Sequence, residues 1–318
     1  MSLVLNAKYS NVWLFWTNRA LRLYPAFLFF VALTWGWFFL AWMWLGKPPQ
    51  NSWMAAYADM HWWQSALIVL SNWTMLGQDI ASVLAYEAGK GFSIIEKEGL
   101  PLWVGWLLTI RPAWSLSVEI IFYLLAPALV RLNGVWLLLI AAVSLAVHVS
   151  TGPMISYYLF PSNLWLFIIG ISLHRTMPYF ERLPLWSLGA LAAPLSVAMI
   201  YWIPSLEPAV YFLAAAAVPP LFLVTRNWRL DRAIGDLSYP IYLGHLPITL
   251  IFQNTLHVNS GPLVLAATTA MAFLVVRLID HPIDRWRQRR VRQFNRPVWE
   301  KREGDGMRGG VARRHLEL

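Results

Sequence analysis

Long apolar stretches separated by short polar ones dominate the chain. A helix crosses the bilayer core with about 20 apolar residues, and stretches of that kind recur from residue 23 to residue 280. They predict helices, because irregular backbone cannot face lipid. The predicted spans are 23–45, 61–77, 114–131, 134–150, 157–173, 185–203, 208–225, 237–256 and 262–280. The predicted fold class is therefore all-α, a polytopic transmembrane helix bundle of about nine hydrophobic segments within residues 1–283.

Composition supports this prediction. The 318 residues are 58% hydrophobic and only 13% charged, whereas a soluble domain carries about 25% charged residues. We therefore expect a multi-pass protein whose first partner is the lipid bilayer. The chain has no Cys, which excludes disulfides, thiolate metal sites and an acyl-cysteine intermediate. No metal site is evident.

The positive charge is uneven, although the net charge is +9. Much of it lies after His281, and residues 284–318 are predicted to be a basic, disordered cytoplasmic tail. The positive-inside rule explains such a tail, and we expect no nucleic-acid partner.

The basic connections give an orientation. Arg131, the stretch 175–182, the stretch 226–232 and the tail are separated by two predicted spans each, so all should lie on the cytoplasmic side. Arg22 should lie there too, yet three predicted spans separate it from Arg131, and parity requires an even number. Either 61–77 does not cross, or 92–110 supplies another crossing or a re-entrant piece. Both alternatives place Trp114 near the outer face.

A carboxylate inside the segment "RPAWSLSVEIIFYLLAPALV" (111–130) is the first unusual feature. Ionisable residues inside membranes are rare and are usually functional. Glu119 could act as a general base, or accept a hydrogen bond from a sugar hydroxyl or an Arg. The alternative is a structural ion pair, for instance with Arg111. The sequence leaves both open.

Two further clusters of polar residues share helix faces. Arg19 and Arg22 are three residues apart, and paired guanidinium groups suit a phosphate-rich ligand. The alternative is that these two arginines only flank a membrane span on its cytoplasmic side, as arginines commonly do. Tyr239, Tyr242 and His245 repeat every three residues, so His245 is either a proton shuttle or a histidine satisfied by a neighbouring helix. A last group, which could be a capping cluster or a sugar-binding edge, consists of Asn72, Gln78 and Asp79.

Five short motifs, taken together and in order, carry a resemblance to a known family. They are "NRALRLYP", "SNWTMLGQD", "AWSLSVEIIFYLLAP", "LSYPIYLGHLP" and "LIDHPIDR". The third is similar to the signature Trp-Ser-Leu-x-x-Glu-x-x-Phe-Tyr, and the fourth to Ser-Tyr-x-x-Tyr-x-x-His-x-Pro. The last has Asp280 where Glu is usual. From about residue 2 to about residue 287, the chain resembles the integral-membrane acyltransferase family 3, which O-acylates bacterial glycans and lipids.

The beginning of the chain departs from that family. Family members start with a helix that bears an Arg and a His central to acyl transfer, followed by a second helix. Here "SLVLNAKY" would join directly after those two helices. The resemblance therefore implies that domain 1–283 is incomplete at its N-terminus, and the main catalytic His is expected in a missing helix.

The resemblance implies a membrane O-acyltransferase of the bacterial inner (cytoplasmic) membrane. It would move an acyl group, most often acetyl, from acyl-CoA to a hydroxyl of a cell-surface polysaccharide, oligosaccharide or lipid-linked sugar. Acetyl-CoA is then a co-substrate, and no bound cofactor is expected. The expected roles are Glu119 and His245 in catalysis, Arg19 and Arg22 in acyl-CoA binding, and Trp114, Ser115, Tyr239, Tyr242, Asn72, Gln78 and Asp79 at the acceptor cavity. The alternatives are a transporter or flippase for a lipid-linked sugar, or an inactive fragment of the acyltransferase.

Overall fold

Helices make up most of the protein in the computed structural model, which describes residues 11–46, 51–95, 102–184, 187–190, 194 and 209–294. The first half contains α1 (Val12–Leu45), α2 (Asn51–Asp59), α3 (Trp62–Thr74), α4 (Gln78–Ala81), β1 (Leu84–Glu87), β2 (Gly91–Ile94) and β3 (Leu102–Trp103). After 3-10 turns at Val104–Leu107 and Arg111–Ala113 follow α5 (Trp114–Leu129), α6 (Gly134–Ser150), α7 (Pro153–Tyr158), α8 (Phe160–Phe180), α9 (Ala209–Thr225), α10 (Arg229–Asn254), α11 (Gly261–Val275), a π turn (Val276–Asp280) and α12 (His281–Phe294).

Three helical stretches are long and apolar enough to cross a membrane, namely Val12–Trp44, Arg111–Leu129 and Gly261–Phe294. Two shorter apolar helices are Gly134–Ser150 and Val210–Thr225. These findings confirm the all-α class and the membrane character. The number of nine segments stays a prediction, and most of the predicted span 185–203 lies outside the described residues.

Helix α1 begins well before the predicted start at residue 23. The Asn11 side chain caps it by accepting a hydrogen bond from the Trp13 backbone N–H at 2.8 Å. Its polar residues interrupt the apolar run, but Asn18 and Arg19 are buried against other helices. Similarly, α10 begins at Arg229 and not at residue 237. Hydropathy marks the lipid-like part of a helix, whereas caps and tertiary burial set where it ends.

The predicted span 157–173 is divided in two. Leu159 is extended (φ −79°, ψ 142°) between α7 and α8, and a proline lies in the first turn of α8. Proline suits that position because its missing N–H would have no helical partner there. Ser162 donates to the Leu159 carbonyl at 2.7 Å and Asn163 Nδ2 donates to it at 2.8 Å, so the break is held by side chains.

Helices α1 and α5 run in opposite directions, and α10 runs parallel to α1. Trp16 Nε1 near the start of α1 donates to the Tyr123 carbonyl in the second half of α5 at 3.0 Å. Near the end of α1, Trp37 Nε1 donates to Thr255 Oγ1, just after α10, at 2.9 Å. The α1–α10 contact is close, since a Cβ at Gly244 would lie 2.6 Å from a ring carbon of Phe30.

The basic connections lie together at one end of the bundle. Arg175 donates to the carbonyls of Val130 and Leu132 at 3.0 and 2.8 Å, which joins the ends of α8 and α5. Arg226 after α9 pairs with Glu181 after α8 at 3.1 Å. Because α5 runs from Trp114 towards this end, Trp114 lies at the opposite end. The structure thus groups these charged positions as the charge pattern predicted.

The described residues between 51 and 110 bear on the parity conflict. Helix α3 has 13 residues, so it is about 20 Å long and shorter than the hydrocarbon core of about 30 Å. The described part of 92–110 forms strands and a 3-10 turn, not a crossing helix. The three strands pair antiparallel in the order β2-β1-β3. The structure therefore favours the alternative that 61–77 does not cross.

The C-terminal basic segment continues the last apolar helix. After the π turn, α12 is helical to Phe294, so residues 284–294 are ordered where the sequence predicted disorder. Arg287 pairs with Asp284 at 2.5 Å and donates to the Asn18 carbonyl at 3.4 Å. These contacts dock α12 onto α1, which the charge pattern alone did not reveal. The rest of the predicted tail lies outside the described residues.

Candidate active site

Glu119 lies where α5 meets α1 and α10. Tyr123, one turn further along α5, donates its hydroxyl to Glu119 Oε1. Arg22 and Arg19 on α1 both interact electrostatically with the carboxylate. The sequence offered Arg111 as an ion-pair partner, but that guanidinium lies over the Trp106 ring at 4.0 Å. The positive charges of the α1 arginines thus partly offset the negative charge of Glu119, which makes a carboxylate within the bundle tolerable.

The two arginines of α1 have different surroundings. Arg19 is only 8% exposed, and its guanidinium lies over the rings of Phe15 and Tyr123 at 5.4 and 5.5 Å. Arg22 is exposed and lines a cavity of about 400 Å³. The spacing placed Arg19 and Arg22 on one helix face, but Arg19 lies in the protein interior and Arg22 lines the cavity.

The cavity beside Arg22 is rich in charge. It lies at the basic end of the bundle and includes Tyr239 and Asp280 in its wall. Two of its basic side chains have acidic neighbours in the same wall: Arg287 pairs with Asp284 at 2.5 Å, and His281 Nε2 lies 3.8 Å from Asp236 Oδ2. Arg22 forms no salt bridge with any residue that the structure describes. Among the cationic groups of this cavity, Arg22 is therefore the one best placed to meet an anionic ligand.

Two tyrosines of α10 connect to both neighbouring helices. Tyr239 donates its hydroxyl to the Leu23 carbonyl of α1 at 2.7 Å. The Tyr242 hydroxyl lies 2.8 Å from Ser115 Oγ of α5. Both tyrosines are near enough to Glu119 to interact with it electrostatically. The structure thus brings together the tyrosines, Ser115 and Glu119, which the sequence predicted separately.

His245 follows Tyr242 by one helical turn. Its Nδ1 lies 2.8 Å from the Tyr242 carbonyl, and the two rings are 6.1 Å apart. A carbonyl only accepts hydrogen bonds, so Nδ1 is the donor in this contact and Nε2 takes no part in it. His245 is therefore oriented by the backbone carbonyl of Tyr242, and its Nε2 remains available for another contact.

Trp114 lies in a separate aromatic cluster at the other end of the bundle. Its ring centroid is 4.9 Å from those of Tyr157 and Tyr158, at the end of α7. The three rings border a cavity of about 490 Å³, which also contacts His148 and Tyr211. Trp114 therefore lines this cavity, and the next residue in the chain is Ser115 of the Glu119 junction.

The remaining predicted residues, Asn72, Gln78 and Asp79, form hydrogen bonds with other parts of the chain. Asn72 is buried, donates to the Leu107 carbonyl at 3.0 Å and accepts from the Thr109 N–H at 2.7 Å. Asp79 accepts from Ser117 Oγ at 2.7 Å. Gln78 is fully buried and donates to the Ser71 carbonyl at 3.0 Å. These contacts join α3 and α4 to the chain around α5, and the choice between a capping cluster and a sugar-binding edge stays a prediction.

Sequence reasoning missed Tyr123 and the aromatic residues around Trp114. Tyr123 had a detectable signal, because residues four apart on a helix are neighbours and Glu119 is four residues before it. The grouping of His148, Tyr157 and Tyr211 had none. These three residues come from different helices, and only the tertiary structure brings them together.

Comparison with known proteins adds one finding. A protein family described as an acyltransferase domain matches residues 1–280. Searches of curated proteins and of solved structures found no significant match. The matched range contains α1, α5 and α10, and therefore every residue of the Glu119 junction. Helix α12 lies beyond it.

Proposed function

The chain belongs to acyltransferase family 3, and on that premise we propose that it is a membrane O-acyltransferase. It transfers an acyl group, with acetyl as the first candidate, from acyl-CoA to a hydroxyl of a cell-surface polysaccharide, oligosaccharide or lipid-linked sugar. The observation that carries the proposal is the junction of α1, α5 and α10. There a carboxylate lies within electrostatic range of two arginines and two tyrosine hydroxyls, inside the matched range.

The reaction defines what the junction has to supply. The acceptor oxygen attacks the thioester carbonyl, an ester C–O bond forms, the C–S bond breaks, and CoA leaves as a thiol. A general base must take the hydroxyl proton. Glu119 and the Nε2 nitrogen of His245 are the candidate bases among the described residues. Of these two we assign Glu119 first, as a residue that assists the main catalytic His implied by the resemblance, because Tyr123 orients it and α1 supplies the opposite charge.

The donor end of the site is the cavity at Arg22. An exposed guanidinium that forms no salt bridge with a described residue can donate two parallel hydrogen bonds to two oxygens of a phosphate. Arg19 is buried against rings, so we give it a different role, the electrostatic support of Glu119. Acyl-CoA thus enters at the basic end of the bundle.

The proposed orientation in the membrane rests on the basic end and the Trp114 end lying at opposite ends of the bundle. We place the basic end in the cytoplasm, where acyl-CoA is made, and the Trp114 end on the outer face of the bacterial inner membrane. The exposed arginines of α12, including Arg285, Arg289 and Arg292, then lie beside anionic lipid headgroups.

Single-cysteine labelling tests this orientation. The natural chain has no Cys, so Ser150→Cys at the end of α6 and Gln293→Cys in α12 each carry one thiol. In intact spheroplasts, a membrane-impermeant maleimide is expected to label the cysteine at 150 and not the one at 293. Opening the membrane should expose the second. Labelling of both in intact cells, or the reverse pattern, contradicts the orientation.

Mass spectrometry of the cell-surface glycan tests the activity. Deletion of the gene is expected to remove one acyl mass from a glycan or glycolipid, and expression of the intact gene should restore it. A transporter would instead change the amount of surface glycan and leave its acyl content unaltered. Unchanged acylation of glycans and glycolipids after deletion refutes the proposed function.

A further inference from the structure

The cavity at the Trp114 end has the features of a carbohydrate site. We call it the aromatic pocket and define it by Trp114, His148, Tyr157, Tyr158 and Tyr211. Its volume of about 490 Å³ falls within the range of roughly 300–1,000 Å³ that is usual for small-molecule sites. The centroids of Trp114, Tyr157 and Tyr158 are each 4.9 Å from the other two. The three rings therefore form a continuous aromatic wall.

An aromatic wall suits the flat face of a sugar ring. The face of an aromatic ring is electron-rich, and the axial C–H groups of a pyranose carry partial positive charge that complements it. Tyr157 is 54% exposed, so a large part of its surface is open to a ligand. His148 adds a polar side chain to the wall of the pocket. One apolar wall and one hydrogen-bonding group are what a sugar, with its apolar face and polar edge, requires.

The charge of the pocket restricts the kind of sugar. None of the described residues that line the pocket is Asp, Glu, Lys or Arg. A carboxylate or phosphate on the bound ring would lose water without meeting an opposite charge, which is costly. The cavity at Arg22 differs in this respect, since its wall is charged.

The aromatic pocket is also close to the proposed chemistry. Trp114 is followed by Ser115, whose hydroxyl lies 2.8 Å from that of Tyr242. Glu119 lies on the same helix, about 7–8 Å further along the axis. A glycan held against Trp114 and Tyr157 can therefore extend a neighbouring hydroxyl towards the junction.

We propose that the aromatic pocket is an acceptor subsite that binds an uncharged hexopyranose of the glycan, beside the residue that is acylated. This inference rests on the proposed function for its biological meaning, but the binding itself does not depend on acyl transfer. The competing explanation is that these rings form an interfacial belt, which anchors a protein at the membrane surface without binding a sugar.

Saturation-transfer NMR on the detergent-solubilised protein without acyl-CoA tests the binding. The probes are methyl glycosides of glucose, galactose, mannose, rhamnose and N-acetylglucosamine, together with methyl glucuronide as the acidic counterpart. At least one neutral glycoside should bind, and the glucuronide should bind at least tenfold more weakly. Tyr157→Ala should weaken binding of the neutral glycoside at least tenfold. Tyr157→Phe should retain most of the affinity, because the aromatic ring remains.

Tyr179→Ala is the matched control. Tyr179 is also an exposed tyrosine, at 67%, but it lies near the C-terminal end of α8, at the opposite end of the bundle, and is not among the described residues of the pocket wall. Its replacement should leave glycoside binding unchanged. Equal loss in both variants, binding of no neutral glycoside, or preference for the glucuronide overturns the proposal.

The outcomes separate this proposal from the proposed function. If neutral glycosides bind and Tyr157→Ala abolishes binding, the subsite stands even when the glycan shows no acylation. If the glycan is acylated but Tyr157→Ala leaves the KM for the acceptor unchanged, the acyltransferase stands and the subsite does not. A raised acceptor KM with an unchanged KM for acyl-CoA supports both.

Discussion

Replacement of Glu119 by Gln is expected to lower acyl transfer at least a hundredfold while the protein still inserts and accumulates. Gln has nearly the same shape, and its carbonyl oxygen can still accept the hydrogen bond from Tyr123. It lacks a basic carboxylate, and general acid–base catalysis contributes roughly 10²- to 10⁴-fold to reaction rates. The measurement is the release of CoA from acetyl-CoA in the presence of acceptor glycan, with purified protein in nanodiscs.

Glu87→Gln provides the matched control for this prediction. Glu87 lies in β1 and pairs with Lys90 at 2.7 Å on the surface, where an ion pair contributes little to stability. Its replacement should change neither accumulation nor activity. Normal acyl transfer by Glu119→Gln would show that Glu119 is only the structural partner of α1. Loss of acyl-CoA binding together with activity would also count against the assignment, because a missing base should leave donor binding intact.

The sequence predicted the components of this junction but not their arrangement. Glu119 was recognisable because ionisable groups within apolar helices are rare, whereas Arg22 and Tyr239 were recognisable by their spacing along a helix. Helical spacing also placed Arg19 beside Arg22. It could not show that Arg19 lies over aromatic rings while Arg22 opens to a cavity. That difference depends on the packing of α1 against α5 and α10, which no local pattern encodes.

Other features were hidden because hydropathy responds to lipid-like composition and not to tertiary contacts. The strands between residues 84 and 103 belong to a small hydrophobic cluster with α2 and α3, so an apolar stretch there indicates local burial and not a crossing. Polar contacts with α1 order the first part of α12, which charge alone suggested to be disordered. By contrast, α6 agrees with its predicted bounds, because Asn133 caps it and its apolar run is uninterrupted.

Replacement of Arg22 by Ala is expected to weaken acyl-CoA binding roughly ten- to hundredfold. A hydrogen bond to a charged group contributes about 1.5–3 kcal/mol, and each 1.4 kcal/mol corresponds to about a tenfold change in affinity. Arg22→Lys should recover part of the loss, since it restores the charge without the planar fork. The measurement is the equilibrium affinity of the solubilised protein for acetyl-CoA at low and at high salt. Because salt screens charges, the difference in affinity between wild type and Arg22→Ala should be smaller at high salt.

A ligand without phosphates makes this test specific. S-acetyl-pantetheine carries the same thioester as acetyl-CoA but none of its phosphates, so wild type and Arg22→Ala should bind it equally. Arg226→Ala is the protein control, because Arg226 is partly exposed and pairs with Glu181 at the same end of the bundle, outside the described wall of the Arg22 cavity. Unchanged acetyl-CoA affinity in Arg22→Ala, or an equal loss with S-acetyl-pantetheine, would remove Arg22 from the phosphate site. The donor would then have to enter away from the charged cavity.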